Sequence, residues 1–292
     1  MKVIGIGELL WDMLPGGKQV GGAPANFAYH ARALGADGQM ISRVGNDELG
    51  RELLSRLADL AVPVDCIQVD PALPTGTVTV KLSADGQPQY IIHENVAWDA
   101  ITAEPAARAA VAAADAICFG TLAQRDARSG AAIQALVAST PANALRILDV
   151  NFRQRYFSQN LMEESLALAN AAKVNDAELP IIARMFGLGD EMREQMEKLA
   201  ERFKLRLVAC TRGSKGSLLY ANGNWSEHPG VPVKVVDTIG AGDSFTAAMT
   251  LGFLSRWDLD AINQRASEVA AVVCAAHGAT PPLPKHLRFN RE

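Results

Sequence analysis

Short apolar runs alternate along this chain with longer Ala- and Leu-rich segments of helical period, and that alternation constrains the fold most. The runs "KVIGIGELL", "QMISRVG", "AICFG", "LRILDVN", "AKVND" and "RLVACTRG" read as strands, several so continuously apolar that both faces must be covered. Between and after them, residues 24–34, 47–60, 104–113, 129–139, 161–170, 190–204 and 258–276 carry the three- and four-residue spacing of helices. Strands that alternate with helices imply an α/β protein, its mostly parallel sheet flanked by helices.

One region departs from this order. From Val64 to Trp98, "TGTVTVKLSADGQPQYIIHE" shows period-2 alternation on both sides of an Asp85-Gly86 turn, the mark of an antiparallel hairpin. An antiparallel piece inside an α/β chain predicts a projecting lid or a sheet extension. No linker, repeat or low-complexity tract divides the chain. Residues 1–292 are therefore expected to form one domain, with the lid inserted at about 64–98.

Composition excludes several classes. With 49% apolar and 21% charged residues, a net charge of −4 and scattered Lys and Arg, no field draws the chain to nucleic acid or an anionic membrane. No window reaches the length of a membrane span, and the first residues lack the pattern of a secretory signal. Cys66, Cys118, Cys210 and Cys274 lie far apart without metal spacing, and read as core thiols in a reducing, cytoplasmic setting.

Three glycine-rich junctions carry the chemistry. In "DTIGAGDSFTAAM", Gly240, Ala241 and Gly242 precede Asp243 at a helix start, whose free amide groups form a seat for an anion. There Asp243 suits a general base, with the amides holding charge on a transferred phosphoryl group. Taken alone, the stretch reads equally as a glycine turn with an Asp cap. "GGAPANFAYHARALG" opens another helix, where Gly22 admits a ligand and Asn26 offers a donor and an acceptor to a polyol. Alone, it is an ordinary loop–helix junction. "TRGSKGSLLY" sets Thr211, Gly213 and Gly216 after a strand, where a nucleotide fits.

Other positions matter by what they offer or lack. Gly5 and Gly7 start a dinucleotide fingerprint that fails at Leu10, and no GxxxxGK[ST] occurs. This removes NAD-dependent redox chemistry and P-loop phosphoryl transfer. Asp12 reads as an exposed carboxylate at a sheet end, suited to neighbouring sugar hydroxyls. Asn175 and Glu178 in "KVNDAEL" end a strand three apart, on one face of an incipient helix, where a capping pair is the plain reading.

Together these segments resemble the ribokinase-like (PfkB) family of carbohydrate kinases over essentially the whole chain. "GGAPANFA", with Gly35 and Gly45 following, is similar to its N-terminal signature, and "DTIGAGDSFTAAMT" to its C-terminal one. The resemblance implies a three-layer ribokinase-like fold, with Asp243 as catalytic base and Gly240, Ala241, Gly242 and Asp243 as anion hole. It implies sugar contacts from Asp12, Gly22, Asn26 and Arg153. It places ATP against Asn175, Thr211, Gly213, Gly216 and Ser267, with Mg²⁺ held near Glu178 through water. A K⁺ ion is implied at Asp237, Ile239, Val273, Ala276 and Gly278, where Pro282 replaces the serine of a ribokinase-like site. The hairpin, with part of 12–22, would be a β lid that pairs in a homodimer.

The opening "GELLWDMLPGGKQVGGAPAN" looks most like fructokinases, which implies D-fructose phosphorylated at O6. A 2-keto-3-deoxygluconate or ribose kinase shares much of the pattern. A sugar- or nucleotide-binding regulator without catalysis is the alternative from another class. Such a regulator could dispense with Asp243.

Overall fold

The computed structural model describes residues 1–14, 16–82 and 88–289, so the Asp85-Gly86 turn lies outside the described residues. The chain begins with β1 (Lys2–Ile6), β2 (Leu10–Leu14), β3 (Gly17–Gly21), α1 (Ala23–Ala33), β4 (Asp37–Gly45) and α2 (Glu48–Asp59). It continues through β5 (Ile67–Asp70), β6 (Gly76–Leu82), β7 (Pro88–Ile92), α3 (Pro105–Ala112), β8 (Ala116–Phe119) and α4 (Ala127–Ala138). Then come β9 (Leu145–Asp149), α5 (Gln159–Leu168), β10 (Ala171–Asn175), α6 (Leu179–Phe186) and α7 (Met192–Phe203). The last elements are β11 (Leu207–Thr211), β12 (Ser217–Ala221), β13 (Asn224–His228), α8 (Ala241–Leu254) and α9 (Leu259–Cys274).

Nine strands form the central sheet in the order β13-β12-β11-β10-β9-β8-β1-β4-β5. It is parallel from β11 to β5, and antiparallel only where β12 and β13 extend one edge. Side-chain alternation divides each inner strand between two layers. Ile117 and Phe119 of β8 join the cluster under α4 to α7, whereas Ala116 and Cys118 join the cluster under α1, α8 and α9. A third cluster, with Leu9, Trp11, Met40, Leu53 and Leu57, fills the space under α2. This is the three-layer α/β architecture with a mostly parallel sheet.

A separate four-stranded sheet runs β3-β2-β6-β7. The expected hairpin is present as antiparallel β6 and β7, joined through parallel β2–β6 pairing to β2 and β3. Two expectations change here. Ile67–Asp70, inside the 64–98 stretch, pairs with β4 in the central sheet rather than with the small one, because Ile67 and Asp70 are buried there. "KVIGIGELL" is not one strand, since the chain leaves the central sheet after Ile6 and enters the small sheet at Leu10.

Helix α6 and the two strands of the β12–β13 hairpin escaped the sequence reading. Helix α6 is only 8 residues long, with Pro180 in its first turn and Gly187 ending it left-handed at φ 67°. The β12–β13 hairpin turns on Asn222 and Gly223, at φ 50° and 79°, a turn that the Asn-Gly pair encodes. The thiols also divide. Cys118 and Cys210 are buried, but Cys66 and Cys274 are half-buried, and all four are free.

The C-terminal segment straps onto α1. Tyr29 Oη donates to the Pro281 carbonyl at 3.0 Å, His30 Nε2 lies 2.8 Å from the Ala279 carbonyl, and the Phe289 amide donates to Leu34 O at 2.9 Å. Burial pushes the His30 ring down to about 4, so it is neutral at physiological pH.

Because Ile117 is fully buried in β8, an inner strand of the central sheet, Ile117→Ala should cost about 2–5 kcal/mol of stability. Urea unfolding of the two proteins checks this, and an unchanged midpoint would contradict the core assignment.

Candidate active site

The site forms where α1 and α8 start beside the C-terminal ends of the strands, the position where open α/β sheets bind ligands. Gly22, the residue before α1, holds φ at 112°, and a Cβ there would collide with the Glu8 carbonyl. Gly240, before α8, holds φ at 78°, and a Cβ there would lie 2.6 Å from the Ala279 carbonyl oxygen. Both helices start against another segment's backbone, which only glycine permits.

These starts face each other. Asn26 Nδ2 donates to Asp243 Oδ2 at 2.8 Å, a contact between the two motifs. Asn26 is buried, and its Oδ1 has no partner among the described residues. Burial and the nearby Asp149 charge push the Asp243 carboxyl up to about 6, against the Asn26 bond, Lys173 and Arg153. That value still leaves Asp243 mostly ionised at neutral pH, as a proton acceptor requires.

Lys173 was not singled out from the sequence. Its ammonium is buried, bonds Asp149 Oδ1 at 3.2 Å, and lies 2.9 Å from where a Cβ on Gly242 would stand. Thr246 Oγ1 donates to the other Asp149 oxygen at 2.8 Å and fixes that carboxylate. Burial pulls the Lys173 pKa down, but Asp149, Glu178 and Asp243 together raise it, so it stays charged beneath the first turn of α8. A lysine inside a strand, flanked by Ala and Val, was the only available signal.

Glu8 is the second residue the sequence reading missed. It is 5% exposed, and its Oε1 accepts the Ala23 amide at 3.3 Å, at the uncapped start of α1. Burial pushes it up to about 7, with Arg153 opposing and Asp243 reinforcing. Asp12 corrects an expectation. It is a half-buried residue in the middle of β2, not an exposed one at the end of the central sheet, and burial raises it to about 6 against Arg153. Arg153 is exposed, and its charge acts on Glu8, Asp12 and Asp243.

Beside this cluster opens a cavity of about 510 Å³, lined by Thr211, Gly213, Gly216 and Ser267, and reaching Ala241 and Gly242. Val231, Val233, Val235 and Ala271 give it apolar walls, and Cys274 also lines it. A flat apolar group fits between these walls while an anionic tail reaches the amides of α8. Asn175 is not among the lining residues. Its Oδ1 accepts the amides of Ala177 and Glu178 at 2.9 Å each, and Glu178 Oε2 accepts the Asn175 amide at 2.9 Å. Glu178 Oε1 accepts Phe152 N at 2.9 Å, so both oxygens are engaged by backbone. The capping geometry is therefore present.

Asp237 organises the segment before α8. Its Oδ1 accepts the Ile239 amide at 3.0 Å and its Oδ2 the Gly278 amide at 3.1 Å, next to the C-terminal end of α9. Val273, Ala276 and Gly278 lie at that end, where the helix dipole is negative and the Val273 carbonyl accepts the Ala276 amide at 3.1 Å.

A cleft with a paired acid and amide at a helix start, an anion seat and a neighbouring apolar cavity defines a phosphoryl-transfer class of site. Comparison with known proteins narrows it. Residues 15–286 match the model of the pfkB family carbohydrate kinases, and the chain belongs to that family. It is 30% identical to a fructokinase of Klebsiella pneumoniae over 97% of this chain and 96% of that protein. Among solved structures, a sugar kinase of Pyrococcus horikoshii in complex with ATP shares 28% identity and a TM-score of 0.80, over 95% of this chain and 94% of that one. A fructokinase of Vibrio cholerae, in a form with bound fructose, ADP and potassium, has the same fold, with TM-score 0.78 and 23% identity over 97% and 94% of the two chains. Among the described residues, no helix is long and apolar enough to cross a membrane.

The buried Glu8 carboxyl leads to a stability prediction. Its folded pKa lies above the unfolded value of 4.5, so its ionised form opposes folding increasingly as pH rises from 4.5 through about 7. Glu8→Gln should therefore match the parent below about pH 5, and be more stable by on the order of 2–3 kcal/mol above about pH 8. Thermal unfolding at both pH values tests it, and a pH-independent difference would refute it.

Proposed function

We propose that the protein transfers the γ-phosphoryl group of ATP to a primary hydroxyl of a neutral monosaccharide, D-fructose at O6 being the first candidate. The contact between Asn26 and Asp243 carries this reading, because it brings a polyol-binding amide against a proton acceptor at an anion seat. The nucleotide would occupy the cavity beside Thr211, Gly213, Gly216 and Ser267, its terminal phosphate reaching the amides of Gly240 to Asp243. The sugar would lie between Gly22, Asn26, Asp12 and Arg153.

In the transfer, the Asp243 carboxylate takes the hydroxyl proton as the sugar oxygen bonds to phosphorus, and the bond from that phosphorus to the ADP oxygen breaks. Charge spreading over the phosphoryl oxygens meets the α8 amides, with the Lys173 ammonium beneath them. Neutral sugars are favoured over sugar acids, since Glu8, Asp12 and Asp243 converge near a single guanidinium, that of Arg153. The likeness to fructokinases supports fructose among the neutral sugars.

Two ions suit the residues present. Mg²⁺ would bind mainly through ATP oxygens and water near Glu178, whose carboxylate is engaged with two amides. K⁺ would take carbonyls of Asp237, Ile239, Val273, Ala276 and Gly278, an all-oxygen set at the negative end of α9. The small sheet ends at β3 and β7, and pairing there with a second copy would form a homodimer over the cleft.

Asp243→Asn keeps the side chain's size but removes the proton acceptor, and turnover should fall by about 10²–10⁴-fold. ADP release measured with fructose, ribose, glucose and 2-keto-3-deoxygluconate tests base and substrate together. Residual turnover within about threefold of the parent would defeat the mechanism, and a strong preference for the sugar acid would defeat the neutral-sugar assignment. In the parent, kcat/KM should fall as pH drops below about 6, where Asp243 takes up a proton. Replacing potassium by tetramethylammonium at equal ionic strength should slow the reaction, and equal rates would remove the K⁺ site alone.

A further inference from the structure

The loop after β9 carries Arg153 and is fixed at both ends to different parts of the molecule. At its start, the Phe152 amide donates to Glu178 Oε1 at 2.9 Å, which ties it to the β10–α6 turn. Past Arg153 the partners belong to the small sheet and its exit. Gln154 Nε2 donates to the Tyr90 carbonyl of β7 at 2.6 Å, and Tyr156 Oη and Arg155 Nη2 both donate to Glu94 at 2.8 Å.

Backbone strain marks the loop on either side of Arg153. Asn151 and Gln154 hold φ at 41° and 49°, left-handed values that non-glycine residues keep only when surrounding contacts impose them. A third contact closes the assembly from beneath. Arg125, 5% exposed at its side chain, grips Asp99 with two bonds of 2.8 and 2.9 Å and donates to the His93 carbonyl at 2.5 Å. Its guanidinium stacks 3.8 Å from the Trp98 ring and 4.9 Å from the Tyr156 ring. The exposed Arg155–Glu94 pair adds little. The Gln154, Tyr156 and Arg125 contacts carry the link.

We propose that Gln154, Tyr156 and Arg125 form a latch that joins lid strand β7 to the Arg153 loop, so that the lid's position sets the guanidinium's position over the sugar site. Gln154 and Tyr156 are thus positioning residues, acting through Arg153. The functional half of this inference rests on the sugar role given to Arg153 above. The mechanical half rests on the contacts alone.

Hydrogen exchange on the sugar-free protein tests the mechanical half. Gln154→Ala and Tyr156→Phe, both on the loop side, should speed exchange of the β7 amides of residues 90–92 by about five- to tenfold as well as that of residues 152–157. Acceleration confined to 152–157 would overturn the latch. Kinetics tests the functional half. Gln154→Ala should raise the KM for sugar by about tenfold while that for ATP stays within about twofold. In an Arg153→Ala background, Gln154→Ala should change the sugar KM by less than about twofold, because the group it positions is gone. A full tenfold effect persisting in that background would overturn the proposed route through Arg153. If Arg153→Ala alone left sugar KM unchanged, the role assigned to Arg153 would fall, and the exchange experiment would still decide the latch.

Discussion

One hydrogen bond, from the Asn26 amide to the Asp243 carboxylate, spans 217 positions of sequence and fixes how the two ends of the chain meet. It forms only if α1 and α8 begin side by side, which requires their shared layer to pack against one face of the sheet. Phe27 and Ala31 of α1 share an apolar cluster with Phe245, Ala248 and Met249 of α8, and this packing supplies the alignment. The bond itself is worth little in net free energy. Its weight lies in geometry, since it sets the direction of the carboxylate at the α8 start.

Around that bond the molecule accepts an electrostatic cost. Three acids, Asp149, Glu178 and Asp243, surround one buried lysine, a fourth, Glu8, feels the Asp243 charge, and Glu8, Glu178 and Asp243 have carboxyls held above their ordinary range. Asp149 and Lys173 satisfy each other, and Thr246 orients the pair. Such a cluster is destabilising for its size when compared with apolar packing. The apolar layers on both sides of the sheet offset it, and the charges stay aimed at the place where an anion would arrive.

Much of this was legible in the sequence, for identifiable reasons. The strands β1, β4, β8, β9, β10 and β11 are inner strands, and inner strands write themselves as continuous apolar runs. The β6–β7 hairpin was legible because one-sided burial leaves strict alternation. Helix α6 was not, since eight residues with an early proline give too few turns for periodicity to register. Asp12 was placed wrongly because the departure of the chain from the central sheet at Gly7 is a tertiary event. Glu8 and Lys173 were missed for a related reason. Each is an ordinary residue in its own segment, and its surroundings are contributed by Ala23, Asp149 and Gly242 from elsewhere.

The strap of residues 279–289 over α1 bears on how the protein is made. Helix α1 is synthesised early, yet Tyr29, His30 and the adjoining Leu34 take their partners from residues made about 250 positions later. The Gly240 turn likewise takes shape against Ala279. A nascent chain can therefore assemble inner strands of the sheet on the ribosome, while the cleft at the helix starts stays unfinished until residues 279–289 emerge. Premature termination anywhere before that segment leaves a chain that has spent its synthesis on a scaffold without a working centre.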